Sequence, residues 1–359
     1  MSSGSSAQPA DNGQAIQRLA FRPRVALLVD THDWAFGNIA RQIVRYLSGQ
    51  FDFVTIPVEW VGSMQRALSL CEQADLIHVF WREYLSRFEW PEFNRETEIV
   101  YGSIDQFKST VIGRRALTTS IYDHLFLAPE QVAERARLFR KLVSGYTVSS
   151  NRLRAIYSSQ PGFPSPDATT PDGVDLGIFS PVQASPSRNE LIVGWVGNSR
   201  WSSSLYEDHK GLHTVLIPAV EQLKNQGIPV QLRLADRAEG FRPQADMPDF
   251  YRGLDVYVCA SLHEGTPNPV LEAMSCGVPV ISTDVGIVPE VFGPKQRSFI
   301  LPDRSPGALA AVLRRLHADK TLLTTLRHEN LESIQSWDWS LRVKPFASFF
   351  NQILRRSRR

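Results

Sequence analysis

Apolar residues run without interruption through the middle of "RVALLVD", from Val25 to Val29. That pattern belongs to a strand with both faces covered, as in a parallel sheet. The period then changes. In "THDWAFGNIARQIVRYLSG" the residues Ile39, Ile43, Val44 and Leu47 recur at helical spacing, and Gly49 closes the helix. "FDFVTIPV" predicts a strand, "SMQRALSLCEQA" a helix and "DLIHVFW" a strand; "STVIGRRA" or "TTSIYD" supplies the next strand, "PEQVAERARLFRKLV" a helix and "GYTVSS" another strand. Alternation at this spacing predicts a doubly wound α/β domain.

Residues 158 to 190 are dense in Pro, Ser, Gly and Asp, the composition of a domain boundary. Beyond it the alternation restarts with "LIVGWVG", a helix over "GLHTVLIPAVEQLKNQG", and "PVQLRLA". "LDVYVCAS", a helix from Asn268, "SFILP" as a strand and a helix over "SPGALAAVLRRLHAD" follow. The expected architecture is α/β, with two Rossmann-like doubly wound domains facing a cleft, at 21–182 and 189–340. A disordered leader is expected at 1–20, and 341–359 forms an amphipathic helix with a basic tail. That helix carries Phe346, Phe349, Phe350, Ile353 and Leu354 in one stripe, with Pro345 in its first turn. Docking against one of the domains is the expected use of so short a stripe.

A chain of 359 residues suits two domains, and its composition is globular. With 39 basic and 37 acidic residues the formal charge is +2, so no global field marks a nucleic-acid binder. The charge is uneven, however: residues 340 to 359 hold Arg342, Lys344, Arg355, Arg356, Arg358 and Arg359 and no acid. Such a tail is either a solvated end or a contact for an anionic membrane face or a phosphorylated substrate. Cys71, Cys259 and Cys276 have no metal spacing and predict buried thiols in a reducing compartment, hence a cytoplasmic protein, peripheral to the inner membrane face if the tail binds lipid. No apolar run approaches the roughly 18 residues of a membrane span.

The chemistry concentrates in "HEGTPNPVLEAMSCGVPVIS", residues 263 to 282. Asn268 followed by Pro269 predicts a capped helix start, with the helix running to Cys276 and stopping at Gly277. Glu264 then precedes the helix and Glu272 lies about one turn inside it. A helix N-terminus after a strand's carboxyl end attracts anions, and a carboxylate on each side can accept hydrogen bonds from sugar hydroxyls. For either glutamate alone, simple attraction to the helix dipole would suffice.

"EGTPNPVLEAMSCGVPVISTDVG", with "PE" after it, resembles the nucleotide-sugar site of family 4 glycosyltransferases, retaining enzymes with the GT-B fold. "PDGVDLGIFSP" is similar to the turn that closes that family's first domain, and "VGWVGNSRW" and "HKGLHTVLIPAV" to its strand, basic loop and helix start. The likeness covers most of residues 165 to 340, and the first domain by general pattern only. It implies that Glu264 contacts the transferred sugar, Glu272 the ribose, and Lys210 with Arg200 the diphosphate. Gly265, Thr266, Pro267, Asn268, Pro269 and Gly197 would line the donor. The family's Gly-Arg pair is absent: Arg200 comes three residues after Gly197, and Arg237 is a substitute cation. His124 falls where the family has a histidine against the sugar, and it is read equally as a partly buried structural group. His78, in an apolar run, is read as structural.

Fixed cations stabilise charge that develops on a leaving diphosphate. No two aspartates lie two apart, so no D-x-D metal pair is present, and a metal-free site with Lys210 in the ion's place is expected. No cofactor is implied beyond a nucleoside-diphosphate sugar as co-substrate. The loop "THDWAFGN" should face the cleft, with Gly37 or Asn38 against the donor and Asp33 and Trp34 toward the acceptor. "FWREYLSRFEWPEF" offers Trp81 and Tyr84 as an acceptor wall. The function expected is retaining transfer to a saccharide or lipid-linked saccharide. Alternatives on the same plan are an epimerase, a phosphorylase or a non-catalytic nucleotide-sugar binder.

Overall fold

The computed structural model describes residues 22–113, 115–125, 127–181, 189–200 and 208–357. The expected leader, and Arg358 and Arg359 of the tail, lie outside the described residues. Strand β1 (Arg24–Val29) is wholly buried after its first residue, as its unbroken apolar run predicts. Around it α1 (Ala35–Leu47), β2 (Asp52–Pro57), α2 (Met64–Ser69), β3 (Leu76–Val79), α3 (Pro91–Tyr101), β4 (Ala116–Ile121), α4 (Pro129–Leu142), β5 (Gly145–Val148), α5 (Asn151–Ser158) and the short β6 (Ala168–Thr169) form the first domain. Its six parallel strands lie in the order β2-β1-β3-β4-β5-β6.

Alternate side chains of a strand face opposite sides. Ala26 and Leu28 join the core that holds Met64, Leu68 and Phe93, while Val25, Leu27 and Val29 face Ile39, Ile43 and Leu47 of α1. The second domain contains β7 (Leu191–Gly197), α6 (Ile217–Asn225, entered through the wide turn Leu212–Leu216), β8 (Val230–Asp236), α7 (Met247–Arg252) and β9 (Val256–Cys259). It continues with α8 (Asn268–Ser275), β10 (Val280–Ser282), α9 (Pro306–Ala318) and α10 (Lys320–Ser333). Its parallel sheet runs β10-β9-β7-β8.

The last helix, α11 (Lys344–Ser357), returns to the first domain. Phe346, Phe349, Phe350, Ile353 and Leu354 are buried there beside Val25, Leu27 and α1, so the stripe serves as core. Arg356 of the basic segment pairs with Asp167 at 2.6 Å. His78 is walled in by Phe80, Phe346, Phe349 and Phe350, with Thr118 and Ser120 on its ring nitrogens; burial pushes its pKa down to about 3. It is a structural histidine.

Of the two stretches offered for the fourth strand, "TTSIYD" supplies it: the strand is Ala116–Ile121, while Lys108–Ile112, reaching into "STVIGRRA", is a wide helical turn. One local expectation fails. "SFILP" forms a 3-10 turn at Gln296–Phe299, and Ile300 makes a single bridge to Ser282. The buried Gln296 side chain bonds to Val280 on both its oxygen and its nitrogen, which fixes the turn against β10 in place of a further strand.

The chain crosses between domains twice, side by side. Val174 N–H donates to the Trp337 carbonyl at 2.9 Å and Trp339 N–H to the Val174 carbonyl at 3.2 Å. Gly173 makes this approach possible, since a Cβ there would sit 2.9 Å from the Trp337 oxygen and 3.0 Å from Trp339.

Candidate active site

A cavity of about 930 Å³ opens between the carboxyl ends of the two sheets and is lined by both domains. This is where open α/β sheets bind ligands.

On the second domain the site begins at Gly211. Its φ of +69 disfavours any side chain, and a Cβ there would lie 2.3 Å from the Ala260 carbonyl oxygen. Asp208 fixes this corner: its carboxylate accepts from the N–H groups of Gly211, His213 and Thr214 and from the Thr214 hydroxyl. Lys210 is thereby held at the cavity wall, with its Nζ 2.5 Å from Glu264 Oε1. Ser261 Oγ donates to the same carboxylate oxygen at 2.8 Å. Burial opposes the charge on Lys210, but the adjacent Glu264 carboxylate outweighs it and the lysine pKa is raised. The two residues with the strongest sequence claim to the chemistry are thus one ion pair.

The loop from Gly265 to Pro269 lines the cavity throughout. It is also the joint between the domains. A Cβ on Gly265 would lie 2.1 Å from Ser149 Oγ and 2.3 Å from the Tyr122 carbonyl of the first domain. Thr266 Oγ1 donates to the Ser149 carbonyl at 3.1 Å and accepts from Asp172 N–H at 3.3 Å. The expected cap at Asn268 does not form. α8 starts at Asn268 itself, and its Nδ2 donates to Asp172 Oδ2 at 3.3 Å, so the side chain is drawn across to the crossing segment. Gly277 follows the helix at φ +74, as its glycine predicts.

Glu272, one turn into α8, lines the cavity and accepts from the Tyr251 hydroxyl at 2.7 Å. Burial pushes its carboxyl up to about 7, against the lowering effect of that hydrogen bond. Gly197 and Arg237 line the same wall, and Arg237 N–H donates to the Gly197 carbonyl at 2.9 Å. The Arg237 guanidinium stacks over Trp34 of the first domain at 3.5 Å and so spans the cleft.

Four expected site residues fall elsewhere. Arg200 is exposed and outside the cavity wall; the turn at Asn198, which holds Arg200 N–H, carries it away. Arg237 is the cation that reaches the wall. Gly37 is buried, and a Cβ there would meet the His32 carbonyl at 2.2 Å; it lets α1 pack on its own loop, while Asn38 lines the cavity. Tyr84 is core, 1% exposed, with its hydroxyl on Glu59 at 2.6 Å. His124 stands behind the wall with its Nε2 2.7 Å from Nδ1 of His263, which does line it. Burial and the neighbouring His263 push the His124 pKa down to about 4.

Asp33, Trp34 and Trp81 line the first-domain side as expected. Beside them are residues that sequence reasoning passed over. Arg82 is paired with Asp123 at 2.5 Å and Glu83 at 3.0 Å. Asp30 and Asp172 also line the wall, and burial pushes Asp172 up to about 8. A signal existed for His263, which adjoins Glu264; none existed for the pairing of Arg82 with Asp123, 41 residues away.

Residues 221–319 match the sequence profile described as glycosyl transferases group 1. A D-inositol 3-phosphate glycosyltransferase of Streptomyces bingchenggensis is 28% identical over 166 residues, 43% of this chain and 36% of that protein. The chain thus aligns with little more than a third of that relative's length. Among solved structures, the sucrose-phosphate synthase of Thermosynechococcus elongatus superposes with a TM-score of 0.65 at 17% identity, covering 93% of this chain and 100% of that one. HepE of Anabaena, solved with UDP and glucose, superposes with a TM-score of 0.66 at 15% identity, covering 92% and 100%. The two Rossmann-like domains and their cleft are the GT-B fold.

Proposed function

We propose that this chain is a retaining glycosyltransferase that moves a sugar from a nucleoside-diphosphate sugar to a saccharide or lipid-linked saccharide acceptor without a metal ion. The observation that carries the reading is the Lys210–Glu264 ion pair at the mouth of α8, with Glu272 one turn deeper on the same wall. The group 1 profile matches residues 221–319 of the domain that carries this wall, and HepE, which shares the fold, was solved with UDP and glucose.

The arrangement suits the chemistry. Cleaving a sugar–phosphate bond builds negative charge on the diphosphate, which Lys210 and Arg237 meet from fixed positions. As the diphosphate draws Lys210 toward itself, Glu264 is released to accept from hydroxyls of the transferred sugar, held by Ser261. Glu272 accepts from the ribose. The joint at Gly265 and Thr266 keeps the domains closed over the reacting bond and limits water.

The test is a thermal-shift screen of UDP, GDP, ADP, CMP and dTDP and their sugars, with and without EDTA, followed by NMR of the product's anomeric configuration. One nucleoside diphosphate should stabilise the protein equally in chelator, and the anomer should be kept. Stabilisation lost in EDTA removes the metal-free part. Inversion removes the retaining part, and turnover of donor alone to an isomer would make the chain an epimerase.

A further inference from the structure

The acceptor side of the cavity has a charge pattern that the donor side does not share. Asp30 sits at the carboxyl end of β1, with its Oδ1 buried and without a hydrogen-bond partner among the described residues. Asp33, three residues on, is exposed to the same cavity. The cations nearby are engaged. Arg82 is tied to Asp123 and Glu83, and Arg41 donates to the His32 carbonyl and the Asn38 side chain. Arg237 interacts electrostatically with both aspartates, but it lies on the donor wall, where a diphosphate would claim it.

We propose that Asp30 and Asp33, with the face of Trp81, form an acceptor subsite for an uncharged saccharide and that the site excludes acceptors bearing phosphate or carboxylate. The inference rests on the donor assignment above. Carboxylates on a cavity wall accept hydrogen bonds from sugar hydroxyls, which bring no further charge to the site. Burial already holds the Asp30 pKa up, which marks the site as one where a further negative charge is poorly tolerated. An acceptor phosphate would face Asp30, Asp33 and the donor's own diphosphate, while Arg82 and Arg41, the first-domain cations of this wall among the described residues, are already committed to other partners. Trp81, 40% exposed at the cavity wall, offers the flat apolar face that a pyranose ring covers.

The experiment uses a printed glycan array probed with the full chain, saturated with whichever nucleoside diphosphate stabilises it. Bound glycans should end in uncharged sugars, and the phosphorylated or uronic-acid forms of the same glycans should bind at least tenfold more weakly. Asp30→Asn should weaken array binding at least tenfold and leave nucleotide affinity within twofold; Asp33→Asn, on an exposed side chain, should do the same to a smaller degree. Preference for anionic glycans, unchanged array binding in both variants, or nucleotide binding with no glycan bound at all would each overturn the subsite. Failure of every nucleoside diphosphate to bind would instead remove the donor assignment.

Discussion

The two walls of the cleft are built in different ways. The second-domain wall, the proposed donor side, takes Ser261, His263, Glu264, the Gly265–Pro269 loop and Glu272 from one stretch of twelve residues, supported by Lys210 and its Asp208-bound corner. The first-domain wall, the proposed acceptor side, collects its side chains from the ends of separate strands: Asp30, Asp33 and Trp34 after β1, Trp81 and Arg82 after β3, Tyr122 and Asp123 after β4. A wall coded in one segment carries a recognisable spacing. A wall assembled from several loops owes its geometry to the sheet that aligns them.

The sharpest way to break this contrast is Lys210→Ala. If the donor wall performs the charge stabilisation, kcat should fall about 10²- to 10³-fold, the usual consequence of removing one such donor. Donor affinity should change far less. A single-turnover assay separates the two, and an equal loss in both would make Lys210 a binding residue only.

Gly265→Ala tests the joint that the donor loop makes with the first domain. The new methyl would collide with Ser149 and the Tyr122 carbonyl, so the thermal midpoint should drop by the equivalent of about 1–3 kcal/mol and the scattering radius should grow. A variant as stable and as closed as the parent would show that the domains meet elsewhere.

Glu272 sharpens the donor assignment through pH. Its carboxyl is raised to about 7 by burial, so its ionisation, and with it the hydrogen bond to ribose that the proposed function assigns to it, grows as pH rises from about 6 to 8. Nucleotide affinity should rise over that window by roughly tenfold, as expected of a hydrogen bond to a charged group. Glu272→Gln should flatten the profile in a calorimetric titration.

The contact between the walls at His124 and His263 gives a smaller, opposite-sided signal. His124 is held neutral, with its pKa lowered from 6.5 to about 4 by burial and by His263. The unfolded chain therefore takes up a proton first as pH falls. The stability contributed is complete above about 6.5 and is lost progressively toward about 4. Melting curves of His124→Phe should show a weaker decline over that range than the parent. Least of all, Arg200→Ala should leave kcat and KM within about twofold, as for a surface change away from the site.

The sequence determined the alternation of strand and helix, the double-domain plan and the gathering of Glu264, the Gly265–Pro269 loop and Glu272 on one cavity wall, because hydrophobic period, glycine position and the spacing of the two glutamates are local properties. Gly277 ended its helix for the same reason. Even there, local reasoning misplaced Asn268, whose side chain has the chemistry of a cap but finds Asp172 across the crossing segment. Tertiary structure alone decided that Gly37 packs on its own loop and that Arg237 reaches the wall in place of Arg200. It also buried Tyr84, brought His124 to His263 and left Asp30 facing the cavity. Each depends on which residue, tens of positions away, fills the neighbouring space, and burial and pairing at that distance leave no periodic trace in the chain.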